Sequence, residues 1–411
     1  MKIIYFHQYF ATPDCSAGTR SYEMSRRLIK NGHEVIVLTT SAFLDGVYKF
    51  ESGWNYLSID GVSVYVLRLP YSNSNSYFNR IYKFFYFSYK AFLKSLKVES
   101  DVVFATSTPL TIIIPAFFYK KIKKLPMVFE VRDLWPELPI AVGAIKNPIV
   151  IWLAERLEKL AYSSSSKIIA LSSGIETGVL NKMKTSKDVV TIPNSCDNDL
   201  FRVDEKIGFE YRKNNLDFVG SSKLVVYTGT LGVINDVSYL VYVARESLNK
   251  NYKICFYVVG DGAEKDKVYA LAKNLQVLNV NFFISSPINK KEVVKLLSAA
   301  DMALSLFGDI PEMWANSANK MFDALAAGKP IAINYKGWQY DLIREKGFGI
   351  CLPQKNYPLA AEEIYNFLFD DGRYSNARLQ ARNIADQDFS RDKLYIKFEE
   401  VIKSTLCESI K

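Results

Sequence analysis

Apolar residues in this chain gather in short runs of strand length, and the stretches between them repeat apolar positions at helical spacing. In the first half, the runs at residues 3–7, 34–39, 62–67, 102–105, 127–131, 168–171 and 189–192 read as strands. Residues 21–31 read as an amphipathic helix stopped by Gly32. Continuous apolar strands separated by helices imply a parallel sheet covered on both faces. A less regular, charged stretch at 196–223 reads as an interdomain crossing with a helix around 210–213. The alternation then restarts, with strands at 224–228, 254–259, 280–284, 302–306 and 331–333 and helices at 237–250 and 264–274. Residues 390–406 close the chain as a helix. The pattern predicts an α/β fold of two doubly wound parallel-sheet domains, 1–196 and 223–387, with 197–222 as linker. Ligands of such sheets bind beyond the carboxyl ends of the strands.

One helix departs from this pattern. Residues 77–97 carry only basic charges, Arg80, Lys83, Lys90, Lys94 and Lys97, among Phe, Tyr, Leu and Ile. Four of these lysines fall on one helical stripe. A basic, aromatic, acid-free helix suits the surface of an anionic membrane. Charge supports that expectation. The first 196 residues hold 24 lysines and arginines against 15 acids, and the rest hold 28 of each, so the whole net charge of +9 lies in the first half. A second basic cluster, Lys120-Lys121-Ile122-Lys123-Lys124, adds to it. No recognised nucleic-acid module accompanies the charge, so nucleic acid is not an expected partner. The five cysteines form no C-x-x-C pair and read as reduced thiols rather than disulfides or a zinc site. The N-terminus lacks a signal-peptide layout, and no apolar run reaches spanning length.

Candidate chemistry sits in the loops that follow strands. The first strand runs into a small-residue loop, Ala17-Gly18-Thr19-Arg20, at a helix start, where Gly18 and Thr19 can approach phosphate or sugar. No G-x-G-x-x-G is present. Glu130-Val131-Arg132-Asp133-Leu134-Trp135-Pro136-Glu137 puts three acids, an arginine and a tryptophan at one strand end. Arg132 can bind phosphate or pair with a carboxylate, and Asp133 can handle a proton or a sugar hydroxyl. Gly229-Thr230-Leu231-Gly232 follows the first strand of the second half, with glycines that let backbone N–H groups reach a diphosphate. Ser317-Ala318-Asn319-Lys320-Met321-Phe322-Asp323 becomes a helix that ends at Gly328-Lys329-Pro330. Ser317, Asn319 and Lys320 suit phosphate at a helix N-terminus, and Asp323, one turn on, suits a ribose diol. One cation for phosphate and one acid for sugar suggest a nucleotide-sugar site.

Taken in order, these motifs resemble glycosyltransferase family 4, of the GT-B fold. The likeness is greatest to the bacterial surface-polysaccharide subgroup that includes the O-antigen N-acetyl-L-fucosamine transferase. Gln8-Tyr9-Phe10, Ala17 to Glu23, Arg132 to Glu137, Ile192-Pro193-Asn194, Gly229 to Gly232, Val259-Gly260-Asp261-Gly262 and Asn319 to Pro330 carry the resemblance along nearly the whole chain. It implies two Rossmann-like domains facing a cleft, the acceptor on the first and the nucleotide-sugar on the second. The final helix, about 388–411, would return to the first domain. It also implies retention of anomeric configuration, no metal or other cofactor, and catalysis by Asp133, Arg132 and Lys320. The expected donor is a UDP-linked deoxy-amino sugar such as UDP-N-acetyl-fucosamine. The expected acceptor is a polyprenyl-diphosphate-linked saccharide at the inner face of the plasma membrane, where a cytoplasmic enzyme would attach peripherally. Three features depart from the family. An acid common eight residues before Asp323 is replaced by Ala315. Asp323 stands where Glu is usual. Thr230 and Asn235 stand where many members carry basic residues. A UDP-sugar 2-epimerase and a non-catalytic polysaccharide-assembly component are the alternatives.

Overall fold

Two parallel sheets organise the chain. The structure, a computed structural model, describes residues 1–15, 17–70, 77–183 and 188–409. In the first unit the elements run β1 (Lys2–Phe6), α1 (Arg20–Lys30), β2 (Glu34–Thr40), β3 (Trp54–Ile59), β4 (Val62–Leu67), α2 (Tyr77–Ser95) and β5 (Val102–Thr106). They continue as α3 (Ile113–Lys123), β6 (Met127–Val131), α4 (Glu137–Ala141), α5 (Pro148–Ser164), β7 (Lys167–Ala170), α6 (Ser173–Met183) and β8 (Val189–Thr191). The sheet order is β3-β4-β2-β1-β5-β6-β7-β8. Only the β3–β4 pair is antiparallel. The central strands β5, β6 and β7 are buried at every position, which is why each reads as a mainly apolar run. Edge strand β3 alternates between covered and exposed positions. Its mixed sequence, Trp-Asn-Tyr-Leu-Ser-Ile, hides it from a search for apolar runs.

The second unit contains α7 (Asn198–Phe201), α8 (Glu205–Asn215), β9 (Lys223–Thr228), α9 (Ser238–Asn249), β10 (Ile254–Val259), α10 (Lys265–Asn274) and β11 (Phe282–Ser285). It continues with α11 (Lys290–Ala299), β12 (Met302–Ser305), α12 (Asn319–Ala326), β13 (Ile331–Ile333), α13 (Trp338–Lys346), β14 (Gly349–Cys351), α14 (Tyr357–Phe369) and α15 (Asp371–Gln387). Its sheet, β11-β10-β9-β12-β13-β14, is parallel throughout. Phe256, Val258, Leu304 and Ala332 from its strands pack into one core with Leu240 of α9 and Phe367 of α14.

The final helix, α16 (Arg391–Ser409), lies against the first unit. The Phe398 ring sits 5.0 Å from Phe104 on β5, and Glu399 accepts hydrogen bonds from Asn31 and pairs with His33 at 2.7 Å. Residues 410–411 of the expected helix, and Ser16 of the first loop, lie outside the described residues.

The units divide at other points than the sequence suggests. The first comprises Met1–Pro193, Ala315–Ser317 and Asp392–Lys411, and the second Asn194–Trp314 and Ala318–Arg391. Residues 194–196 therefore belong with the second unit, where the Cys196 N–H donates to the Phe389 carbonyl at 2.8 Å and Arg391 pairs with Asp197 at 2.5 Å. The expected linker, 197–222, groups with the second unit, and α8 covers the helix expected around 210–213. Gly208 lets α8 lie directly on α11, since a Cβ there would stand 2.4 Å from the Ser298 carbonyl oxygen. Leu216 and Val219 are buried with Leu224. A helix with a glycine in its contact face and charges outward shows little apolar periodicity.

Two lysines of the expected basic stripe at 77–97 are engaged within the protein. Lys83 donates to the Pro70 carbonyl at 2.6 Å, and the Lys94 ammonium lies 3.9 Å from the Tyr65 ring centroid. The outermost ridge of α2 is apolar: Tyr82, Phe85, Tyr89 and Leu93 are all exposed. All five cysteines are free thiols.

Candidate nucleotide-sugar site

In the first unit, the strand ends carry a buried charge network. Thr19 precedes α1, and Arg20 in its first turn is buried. Arg20 Nε donates to Glu130 at 2.8 Å, and its Nη atoms donate to the carbonyls of Pro193 and Ile192 at 2.5 and 2.9 Å. One side chain thus ties the loop after β1 to the ends of β6 and β8. Arg132 reaches the same carboxylate at 3.2 Å and also donates to Thr106 at 2.8 Å and Ser21 at 2.7 Å. Burial opposes ionisation of Glu130, but the two guanidinium groups outweigh it and hold its carboxyl below the usual range. Arg132, expected as a catalytic cation, is held at the ion pair and forms part of the scaffold in this structure.

Asp133 is half-buried beside it and accepts from Thr108 Oγ1 at 3.2 Å. Burial raises its carboxyl above the ordinary value, against the pull of the Thr108 hydrogen bond and Arg132. That suits a group that meets a hydroxyl or a proton. His7, at the end of β1, is buried, and its Nδ1 has no partner. Burial, then the charge of Arg132, keeps its imidazole neutral. Gly18 is exposed in the loop between β1 and α1.

In the second unit, two glycine loops interlock at the ends of β9 and β10. The Gly229 N–H donates to Val259 and the Leu231 N–H to Asp261, at 3.0 and 2.9 Å. Gly229 holds φ at 146°, which a side chain rarely adopts. A Cβ on Gly260 would stand 1.8 Å from the Gly229 carbonyl oxygen, so only glycine lets the loops touch. Thr230 is exposed at the loop tip, its carbonyl accepting from the Tyr227 hydroxyl at 2.8 Å. The Gly232 carbonyl accepts from the Asn235 N–H at 2.9 Å and so starts the turn into α9.

The start of α12 faces this loop. Ala318 precedes the helix and offers no side-chain cap. Exposed Asn319 is its first residue. The Lys320 side chain lies along Gly229, where an added Cβ would meet Cε at 2.7 Å and Nζ at 3.1 Å. Its ammonium rests 5.0 Å from the Tyr227 ring and 5.8 Å from Phe307. Burial lowers its pKa to about 8, with Asp323 opposing the shift. The geometry concentrates one cation, a bare glycine backbone and a helix N-terminus in one place, which is a setting for a diphosphate.

Two expected members are placed differently. Both oxygens of Asp323 lie 2.6 Å from the ammonium of Lys290, at the start of α11. The carboxylate expected to be open for a ribose diol already has a cationic partner. The basic pair Lys290-Lys291 after β11 was the available sequence signal. Ser317 is buried and groups with the first unit rather than with α12. Ala315 has a steric reason. Its methyl would stand 2.9 Å from a Cβ on Gly174, and its carbonyl accepts a hydrogen bond from Ser172. An acid there would have to leave this contact. Among the described residues, no group of three His, Cys, Asp or Glu side chains is arranged to hold a metal ion.

Residues 17–195 match the model of a glycosyl transferase 4-like domain, and residues 209–384 match glycosyl transferases group 1. The chain is 25% identical to WbjE of Pseudomonas aeruginosa, named a probable glycosyltransferase, over 83% of this chain and 84% of that protein. It is 20% identical to WcaI of Escherichia coli K12, named for colanic acid biosynthesis, over 69% of this chain and 71% of WcaI. Among solved structures, Anabaena HepE in complex with UDP-glucose shares the fold, with a TM-score of 0.73, 15% identity and coverage of 98% of this chain and 100% of HepE. Two successive glycosyl transferase domains on two parallel-sheet α/β units make the chain a glycosyltransferase with the GT-B fold.

Proposed function

We propose that this glycosyltransferase of glycan biosynthesis moves N-acetyl-fucosamine, or a related deoxy-amino sugar, from a UDP-linked donor to a polyprenyl-diphosphate-linked saccharide. The product would serve O-antigen or capsule assembly, and the enzyme would work at the inner face of the plasma membrane. The observation that carries the donor half is the placement of Lys320 against Gly229 at the start of α12. HepE binds UDP-glucose on the same fold, which supports a UDP-linked donor. The basic first half supports an acceptor held at an anionic surface.

Transfer proceeds with retention. The bond from the anomeric carbon to the β-phosphate oxygen breaks as the bond to the acceptor oxygen forms on the same face. The acceptor proton passes to the departing diphosphate. Lys320 and the α12 N-terminus neutralise charge as it develops there, an electrostatic contribution of the oxyanion-hole kind. Lys290 holds Asp323 in place, and a carboxylate with two oxygens can still accept a ribose hydroxyl beside an ammonium. No metal takes part in this scheme.

The test follows UDP release from a panel of UDP-sugars with lipid-linked acceptors, alongside thermal shifts with UDP, GDP, dTDP and ADP. A selective UDP shift and acceptor-dependent release are expected. A new sugar-nucleotide formed without acceptor would favour the epimerase instead. Nucleotide binding without any transfer would favour an assembly component.

A further inference from the structure

The helices on one face of the first sheet leave an outer surface that water does not explain. α2 and α3 adjoin through the Phe92 and Phe118 rings, whose centroids are 5.8 Å apart. Lys120 of α3 donates to the Ser164 carbonyl at the end of α5, which ties the third helix into the same layer. Along α2 the ridge Tyr82, Phe85, Tyr89 points outward, at 63, 54 and 59% exposure. Phe118 continues it on α3. On α5 the first turns expose Trp152 and Leu153 at 52 and 54%. A water-facing helix puts charged residues at such positions. The helix α16, which packs on β5 through Phe398, does so: its outward positions include Asp392, Lys393, Lys397, Glu400 and Lys403.

The charges around this surface have one dominant sign. Neither α2 nor α3 contains an acidic residue. The Lys90 and Lys121 ammonium groups lie 5.6 and 5.9 Å from the Tyr86 and Phe117 rings, Lys97 and Lys124 are exposed just past the ends of α2 and α3, and the Arg156 guanidinium sits 5.2 Å over the Trp152 ring. Aromatic side chains with a polar tip, bordered by lysines, match the boundary between headgroups and acyl chains. A second copy of this chain would bring the same positive charge and be repelled.

We propose that the outer surface of α2, α3 and α5 embeds in an anionic lipid bilayer, with Trp152 and Leu153 at the first turns of α5 as its insertion edge. This rests on the peripheral association proposed above and names the surface that makes it. The lysine stripe does not lead: Lys83 and Lys94 are engaged within the protein. The aromatic ridge enters, and the remaining lysines meet the phosphates.

The test uses the full chain with vesicles of phosphatidylcholine, with and without phosphatidylglycerol. Wild type is expected to bind the anionic vesicles at least about tenfold better. W152S/L153S and F85S/Y89S are each expected to lose about tenfold or more of that binding, with unchanged melting and an unchanged UDP shift. K90E/K121E is expected to lose the preference for anionic lipid. Undiminished binding by both apolar pairs overturns this surface and leaves peripheral association standing through another. No vesicle binding by wild type overturns both. Equal binding of wild type to both vesicles, or a concentration-dependent dimer abolished by the apolar pairs, also overturns the proposal. The UDP shift reads the donor chemistry separately in every case.

Discussion

Lys320 is the residue on which the donor reading turns. Lys320→Ala is expected to lower turnover more than tenfold, removing about 2–4 kcal/mol of transition-state stabilisation. Wild-type turnover in that variant would remove the basis of the assignment. The lysine also sets a pH signature. Burial lowers its pKa to about 8, so the ammonium is lost as pH rises through that value. UDP affinity measured by calorimetry should fall over that range, and Lys320→Arg, which stays charged, should flatten the decline. A second expectation concerns Glu130, a buried carboxylate between two guanidinium groups. Glu130→Gln leaves both arginines without their counter-charge and should cost about 3–5 kcal/mol in urea denaturation. Because its folded pKa is lowered, the stabilisation is present above its ordinary value of 4.5 and is lost as pH falls through the folded value.

At the scale of elements, the glycine loops decide the donor end of the second sheet. Gly260→Ala would drive a methyl into the Gly229 carbonyl. The second unit should lose about 1–3 kcal/mol, and UDP binding should weaken with it; unchanged melting and affinity would show that the loops part freely. Most strands of both sheets were readable because a parallel strand buried on both faces is a mainly apolar run. β3 and β14 were not, since one is a half-exposed antiparallel edge and the other has three residues. The candidate site was readable where one segment carries the chemistry, as at Asn319-Lys320. It was not where the partner is distant in sequence. Nothing in Asp323 announces Lys290, thirty-three positions earlier, and nothing in Arg132 announces that Arg20 shares its carboxylate. The outward ridge of α2 was missed for another reason. Tyr65 and Pro70, which take up two of its lysines, come from outside the helix.

At the scale of the whole molecule, the donor is expected to act on one unit. UDP at a hundredfold excess over its dissociation constant should add about 2.7 kcal/mol of stability. Hydrogen-exchange protection should rise in β9, α12 and the loops after β9 and β10; protection confined to the first unit would displace the donor site. Dialysis against EDTA should leave transfer unchanged, and loss of activity restored by magnesium or manganese would call for a metal in the scheme.

The return of α16 to the first sheet has a consequence for how the chain is made. A ribosome finishes β1 to β8 long before it reaches Phe398, and the whole second unit is synthesised in between. Until then Phe104, Asn31 and His33 lack the helix that covers or bonds them. The first unit therefore spends that interval incomplete, with an apolar patch open to misassembly. A fragment of residues 1–193 should bind a hydrophobic dye and unfold readily, and a chain shortened before Asp392 should fail in the unit farthest from the cut.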